Sequence, residues 1–231
     1  MAKSRKGKKE EEGFIQKERI VEEKTRNFLE ENSKIITGVA LAVIAIVLLG
    51  YGYKQLISGP KEAKTQKLMI RAQQYFEKDS FNLALVGDGQ NMGFKDIVAK
   101  YGGTAAGNGA KLYAGISALH IGKYQDAIKY LEDFKSSDAL LNARKYGCIG
   151  DAKAELKDLK SAAEYYQQAI DADPDNIISA PFNLYKLANV QVLNKKPEEA
   201  LKTYQLLVDK FETSQEASSA QKEMAYLQAS K

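Results

Sequence analysis

Three positions recur in fixed register along the second half of this chain. Gly115, Gly150 and Ala188 are each followed twelve residues later by an alanine, at Ala127, Ala162 and Ala200. Four residues beyond each alanine stands a large side chain: Leu131, Tyr166 or Tyr204. The units lie 35 and 38 residues apart. A period of that length marks one supersecondary unit, repeated and stacked. Each unit is too small to bury its apolar face alone, so neighbours must close a common core. Small residues at two of the positions let paired helices approach closely, and the large residue fills the space between adjacent repeats. The turns between paired helices read Ile121-Gly122-Lys123-Tyr124, Leu156-Lys157-Asp158-Leu159 and Asn194-Lys195-Lys196-Pro197. The second unit closes on Asp173-Pro174-Asp175, where proline cannot continue a helix.

This pattern resembles the tetratricopeptide repeat, which implies an all-α solenoid of helix pairs. The repeats fall at about 108–139, 143–175 and 181–212 within a domain of 106–231, with a capping helix over 215–229. Gly115, Ala127, Gly150, Ala162, Tyr166, Ala188, Ala200 and Tyr204 are the expected packing positions. The chain departs from the pattern at Leu131, where an aromatic is usual, and at Glu212, where a closing proline is usual.

Residues 35–53 read IITGVALAVIAIVLLGYGY, uncharged, with Lys34 and Lys54 on either side. As a helix the run spans roughly 28 Å, close to the hydrocarbon thickness of a bilayer. Charged residues make up 28% of the chain, so the run is not a sample of a generally apolar protein. It has no polar face beyond Thr37, unlike a helix packed in a soluble core. A cleavable signal would have a shorter lead and a small-residue cleavage site, and Gly50-Tyr51-Gly52-Tyr53 offers none. Cys148 lies too far downstream to carry a lipid anchor. The expectation is one transmembrane helix.

Topology rests on the flanks. Residues 1–34 form a charged tail with ten basic residues, five of them within 3–9. Close to the span the count is nearly balanced, with Lys24, Arg26 and Lys34 before it and Lys54, Lys61, Lys64 and Lys67 after it. The tail and the interfacial Tyr51 and Tyr53 favour a cytoplasmic N-terminus, with the large domain on the far side. Phe14, Val21 and Phe28 recur every seven residues among glutamates and predict a short amphipathic helix before the membrane. The basic stretch itself either fixes topology or touches ribosomal RNA or anionic lipid.

Residues 54–105 read as a membrane-proximal helical segment, with helices over 61–78 and 94–101 and a glycine-rich loop between them. No phosphate-binding motif is present in that loop. As a calcium loop it fails, because Met92 and Ala99 stand where carboxylates are needed. Tight turns between helices are the expectation. One histidine and one cysteine cannot hold a zinc ion. His120 reads as a polar helix end and Cys148 as a small packed residue. Neither catalysis nor a cofactor or metal is expected.

The order of basic tail, Asn27-Phe28-Leu29-Glu30-Glu31-Asn32-Ser33-Lys34, single span and repeat domain resembles the YfgM family. These are ancillary subunits of the SecYEG translocon in Gram-negative bacteria. The resemblance implies a periplasmic domain that binds envelope proteins or unfolded segments, chaperone-like, beside the inner-membrane export machinery. Solenoids of this kind bind along a concave face lined by first helices. Counting along those helices places Leu112, Ile116, His120, Arg144, Asp151, Glu155, Tyr185 and Asn189 there. Only Asn189 matches the clamp that holds chaperone C-terminal carboxylates, so that ligand is not expected. The alternative function is a ribosome, nucleic-acid or lipid tether working through the basic tail.

Overall fold

The computed structural model describes residues 21–229, together with Lys17 and Arg19. The basic stretch 3–9 and Phe14 lie outside the described residues. The chain divides into two units, Met1–Gly59 and Pro60–Lys231.

In the first unit, residues 21–31 are helical, followed by α1 (Ser33–Tyr53) and one turn of π-helix (Lys54–Ser58). Leucine, isoleucine and alanine dominate α1 and no proline interrupts it, so the backbone satisfies its own hydrogen bonds. Its apolar side chains are exposed, including Val39, Leu41, Ile46 and Leu49. By length and composition it is apolar enough to cross a membrane.

The second unit is all-helical among the described residues, apart from one isolated bridge between Gly87 and Met92. Its helices are α2 (Gly59–Glu77), α3 (Phe81–Val86), α4 (Phe94–Tyr101), α5 (Ala105–His120), α6 (Tyr124–Asp133), α7 (Ala139–Glu155), α8 (Leu159–Ala172), α9 (Ser179–Leu193), α10 (Pro197–Lys210) and α11 (Gln215–Ala229). The hairpins α5–α6, α7–α8 and α9–α10 are the three units read from the sequence. Their first helices start a few residues earlier than the pattern placed them. Thr104 and Asp138 set those starts by accepting hydrogen bonds from Gly107 N and Leu141 N.

Each hairpin closes on the same turn. Gly122, Lys157 and Lys195 all take positive φ, at 75°, 64° and 57°. The left-handed residue donates to a carbonyl three residues back, and the next residue to one five back. In the second unit these are Lys157 N to Ala154 O at 2.9 Å and Asp158 N to Lys153 O at 2.9 Å. That pair satisfies carbonyls a helix end would otherwise orphan. Two of the three positions carry lysine where glycine would be unstrained.

The same turn occurs a fourth time, between α2 and α3. Asp79 has φ 55°, donates to Phe76 O at 3.0 Å, and Ser80 donates to Tyr75 O at 2.9 Å. Ala72 and Ala84, twelve residues apart, stand in register with Gly115 and Ala127. Both are buried. Residues 54–105 are therefore not a separate membrane-proximal segment, because 60–101 form a further unit of the solenoid. Its second helix is broken: α3 stops at Val86, a loop runs over 87–93, and α4 resumes with the buried Phe94 and Ile97. The separation of 43 residues between Ala72 and Gly115 reflects that insertion. Asp88 pins the loop, accepting from Asn91 N at 2.6 Å, Gln90 N at 2.9 Å and the Tyr75 hydroxyl at 2.8 Å. The glycines there serve tight turns, and Gly87 has φ 85°.

Inside each hairpin a small residue faces a large one. A Cβ on Gly150 would sit 2.6 Å from Tyr166 Cε1, and one on Gly115 would sit 2.5 Å from Leu131 Cγ. Ala188 and Tyr204 take the corresponding places in the third unit and are fully buried. Glu62 of α2 ties the broken unit to the next, accepting from Ala105 N at 2.7 Å and Ala106 N at 2.9 Å at the start of α5.

These contacts set two expectations. Gly150→Ala should lower unfolding free energy by about 1–3 kcal/mol in urea titration, since the Tyr166 ring must move. Lys157→Gly should raise it by up to about 1 kcal/mol, because glycine relieves the left-handed backbone. A third concerns pH. Hydrogen bonds, that from Asn91 N foremost, hold the Asp88 carboxyl well below its ordinary value. Its contribution is therefore present above the ordinary aspartate value and lost as pH falls below it. The acid limb of a Tm profile, below about pH 4, should flatten in Asp88→Asn.

Candidate protein-binding groove

The first helices of successive units frame a cavity of about 520 Å³. Ile116, Leu119 and His120 of α5 close one side, and Glu216 of α11 stands at another. The middle is built by α7 and α9. A row on α7, Leu140, Arg144 and Cys148, recurs every four residues, as does Ile178, Phe182 and Lys186 at the start of and along α9. Residues four apart share a helix face. Leu140 and Phe182 are each 49% exposed and Ile178 is 77% exposed. Large apolar side chains open to water are thus gathered at one concavity, which makes it the candidate interaction surface.

Asp151 organises the polar part of the wall. Lys186 Nζ lies 2.6 Å from its Oδ1 and 2.8 Å from its Oδ2, joining α9 to α7. The Tyr166 hydroxyl donates to the same Oδ1 at 2.8 Å. Burial, with the Asp151 charge, pushes the Tyr166 phenol well above its ordinary pKa, so it remains a donor. Lys186 also sits 4.0 Å from the centroid of Phe182. In the third unit the pair is repeated with a neutral partner: the Tyr204 hydroxyl donates to Asn189 Oδ1. In the first unit the same places hold Ile116 and Leu131, in apolar contact within one core cluster. Arg144 and Glu216 make no ion pair among the described residues. Burial pushes the Cys148 thiol up to about 11, which favours its protonated form.

Four of the eight groove positions read from the sequence line this cavity: Ile116, His120, Arg144 and Asp151. The other four do not. Leu112 is buried in a core cluster with Leu131, Phe134 and Ile149. Glu155 accepts instead from the Tyr124 hydroxyl, at 3.4 Å. Tyr185 packs against Tyr204 with centroids 6.0 Å apart. Asn189 is held by the Tyr204 hydroxyl. The reason is helical geometry: one residue is a rotation of about 100°. Tyr185 and Asn189 belong to the row beside Phe182 and Lys186, which turns toward α10. His120 is more than a helix end, for its ring stacks on Phe81 at 4.0 Å and 6°. Sequence reasoning missed Leu140, Ile178, Phe182 and Lys186. The four-residue spacing of Ile178, Phe182 and Lys186 was the available signal. Among the described residues, no group of three or more histidines, cysteines or acids could hold a metal.

Two segments match the tetratricopeptide repeat family, residues 146–176 and 183–214. No curated protein matches the chain in sequence. Among solved structures, a chain of MamA from Desulfovibrio magneticus RS-1 is similar at 20% identity and TM-score 0.54. The match covers 65% of this chain and 77% of that one. A putative kinesin light chain with TPR-like repeats from Podosopora anserina is similar at 14% identity and TM-score 0.57, over 72% and 86% of the two chains. At these identities the likeness is one of fold. The second unit is thus a TPR-like solenoid, a class of repeat that mediates protein–protein interaction.

Tyr166→Phe should cost about 1 kcal/mol in chemical denaturation by removing the hydrogen bond to Asp151. Tyr185→Ala should destabilise the fold through lost packing on Tyr204 rather than alter the groove.

Proposed function

We propose that this chain is a protein-binding adaptor, anchored by α1 in a bacterial inner membrane with its N-terminus in the cytoplasm. The repeat unit then lies in the periplasm, beside the export machinery, and holds envelope proteins or unfolded segments. The observation that carries the reading is the exposed apolar row Leu140, Ile178 and Phe182 within a TPR-like concavity. The uncharged run 35–53 within α1, with Lys34 and Lys54 on either side of it, supports the anchor, and the order of tail, span and repeats resembles the YfgM family. The work of such a module is binding, and no reaction chemistry is assigned to it.

Two experiments test this. Protease added to right-side-out spheroplasts should digest the repeat unit and leave a short N-terminal fragment. Protection of the repeats would place them in the cytoplasm. Separately, crosslinking in vivo should trap an envelope protein on the wild-type chain and lose it in Phe182→Asp, with folding unchanged by circular dichroism. If Phe182→Asp retains its partners while deletion of residues 2–12 releases ribosomes or nucleic acid, the tail is the binding element and the groove reading fails.

A further inference from the structure

We propose that a second cavity, lined by α3, α4 and α6, binds the phosphate of an organic phosphate ester, with Lys95, Lys123 and Lys129 holding its oxygens. The cavity has a volume of about 260 Å³ and lies where the broken unit meets the next hairpin. It shares no lining residue with the groove, so the inference goes beyond the adaptor reading and does not depend on it.

Local helix physics accounts for the carboxylates at this place and not for the lysines. Asp96 and Asp126 stand in the first turns of α4 and α6, where the helix dipole favours an anion. Lys95 lies in that same turn of α4, and Lys123 is the residue that precedes α6. Both are cations where the dipole disfavours one. Among the described residues no ion pair offsets either of them, or Lys129. The third unit supplies the comparison. Lys196 holds the corresponding place before α10 and pairs with Glu199, three residues on, at 2.9 Å. Lys123 has Asp126 at the same spacing and makes no such pair. Charges that break a local rule without an internal partner are expected at functional sites.

The donors select the ligand. Tyr130 lines the same cavity, and burial, followed by the charges of Asp126 and Asp96, raises its phenol above the ordinary value, so it is a donor. Three ammonium groups and one phenol offer point-like donors, which suit the three acceptor oxygens of a phosphate. No guanidinium lines the cavity to grip a planar carboxylate in bidentate fashion. The lining sets three cations against one carboxylate, Asp126, and so keeps an excess of positive charge. Its volume falls below the usual range for whole small-molecule ligands. It takes the phosphate and the first atoms of the ester, with the exposed Val86 at the α3 side.

The test uses the full chain in neutral detergent micelles, with binding read by calorimetry. Glycerol phosphate is the soluble probe, and micelles doped with phosphatidic acid present the same group on a lipid. At least one should bind. Lys95→Gln and Lys129→Gln should each weaken that binding about tenfold, while Lys196→Gln leaves it unchanged. Lys95→Gln should not lower Tm, because it removes a cation opposed to the helix dipole. Its loss of binding is then not a loss of fold. Binding of glycerol phosphate shows that the ester alone suffices, whereas binding of the doped micelles alone, lost in both variants, assigns the site to a lipid headgroup. Failure of both probes overturns the proposal, as does binding that both lysine variants leave intact. So does sodium sulfate competing as well as glycerol phosphate, or polyglutamate binding in place of either probe. Phe182→Asp should keep the wild-type affinity for the phosphate probe, so this inference and the adaptor reading stand or fall separately.

Discussion

The contact on which the repeats depend is a missing side chain opposite a large one. In the second unit the absent Cβ of Gly150 lets α7 approach α8 until the Tyr166 ring fills the gap. Ala162 lies fully buried in the same interface. That approach does more than pack apolar surface. It carries the Tyr166 hydroxyl to Asp151, which faces the next unit and holds Lys186 of α9. One close approach within a hairpin thus sets a polar bridge between hairpins, and the bridge shapes the groove wall. In the third unit Tyr204 and Asn189 repeat the arrangement without charge, and in the first Leu131 and Ile116 repeat it without polarity. Shape is therefore constant along the solenoid while chemistry varies.

The turns are the second constant. Four hairpins end on a left-handed residue with the same pair of hydrogen bonds, although the residue is Asp79, Gly122, Lys157 or Lys195. The conformation is imposed by the paired helices and tolerates a Cβ at modest cost. A search for glycine at the turn finds one unit of four. The same tolerance hides the broken unit. Its loop at 87–93 displaces the position where a large residue would follow Ala84, and Asp88 stands there instead. That aspartate has a structural task, holding the loop through Asn91, Gln90 and Tyr75.

The groove follows from how first helices stack. Their outward rows bring together side chains far apart in sequence: Ile116, Leu140, Arg144, Phe182 and Glu216. The saturated Asp151–Lys186 pair, the unpaired Arg144 and the exposed apolar row give the cavity distinct regions.

The sequence by itself determined the fold class, the three regular units and the apolar α1, because each depends on local spacing. Gly115, Gly150 and Ala188, with their alanines and large partners, encode helix approach directly through side-chain size. It also yielded Ile116, His120, Arg144 and Asp151 as groove positions, which lie on rows that a simple count along the helix follows. Only the tertiary structure decided the fourth unit, since a loop inside its second helix breaks the period. Only the structure, too, turned Tyr185 and Asn189 away from the groove and Phe182 and Lys186 into it. A single residue of register separates those rows, and the choice between them is made by packing of α9 against α10, which no one-dimensional pattern contains.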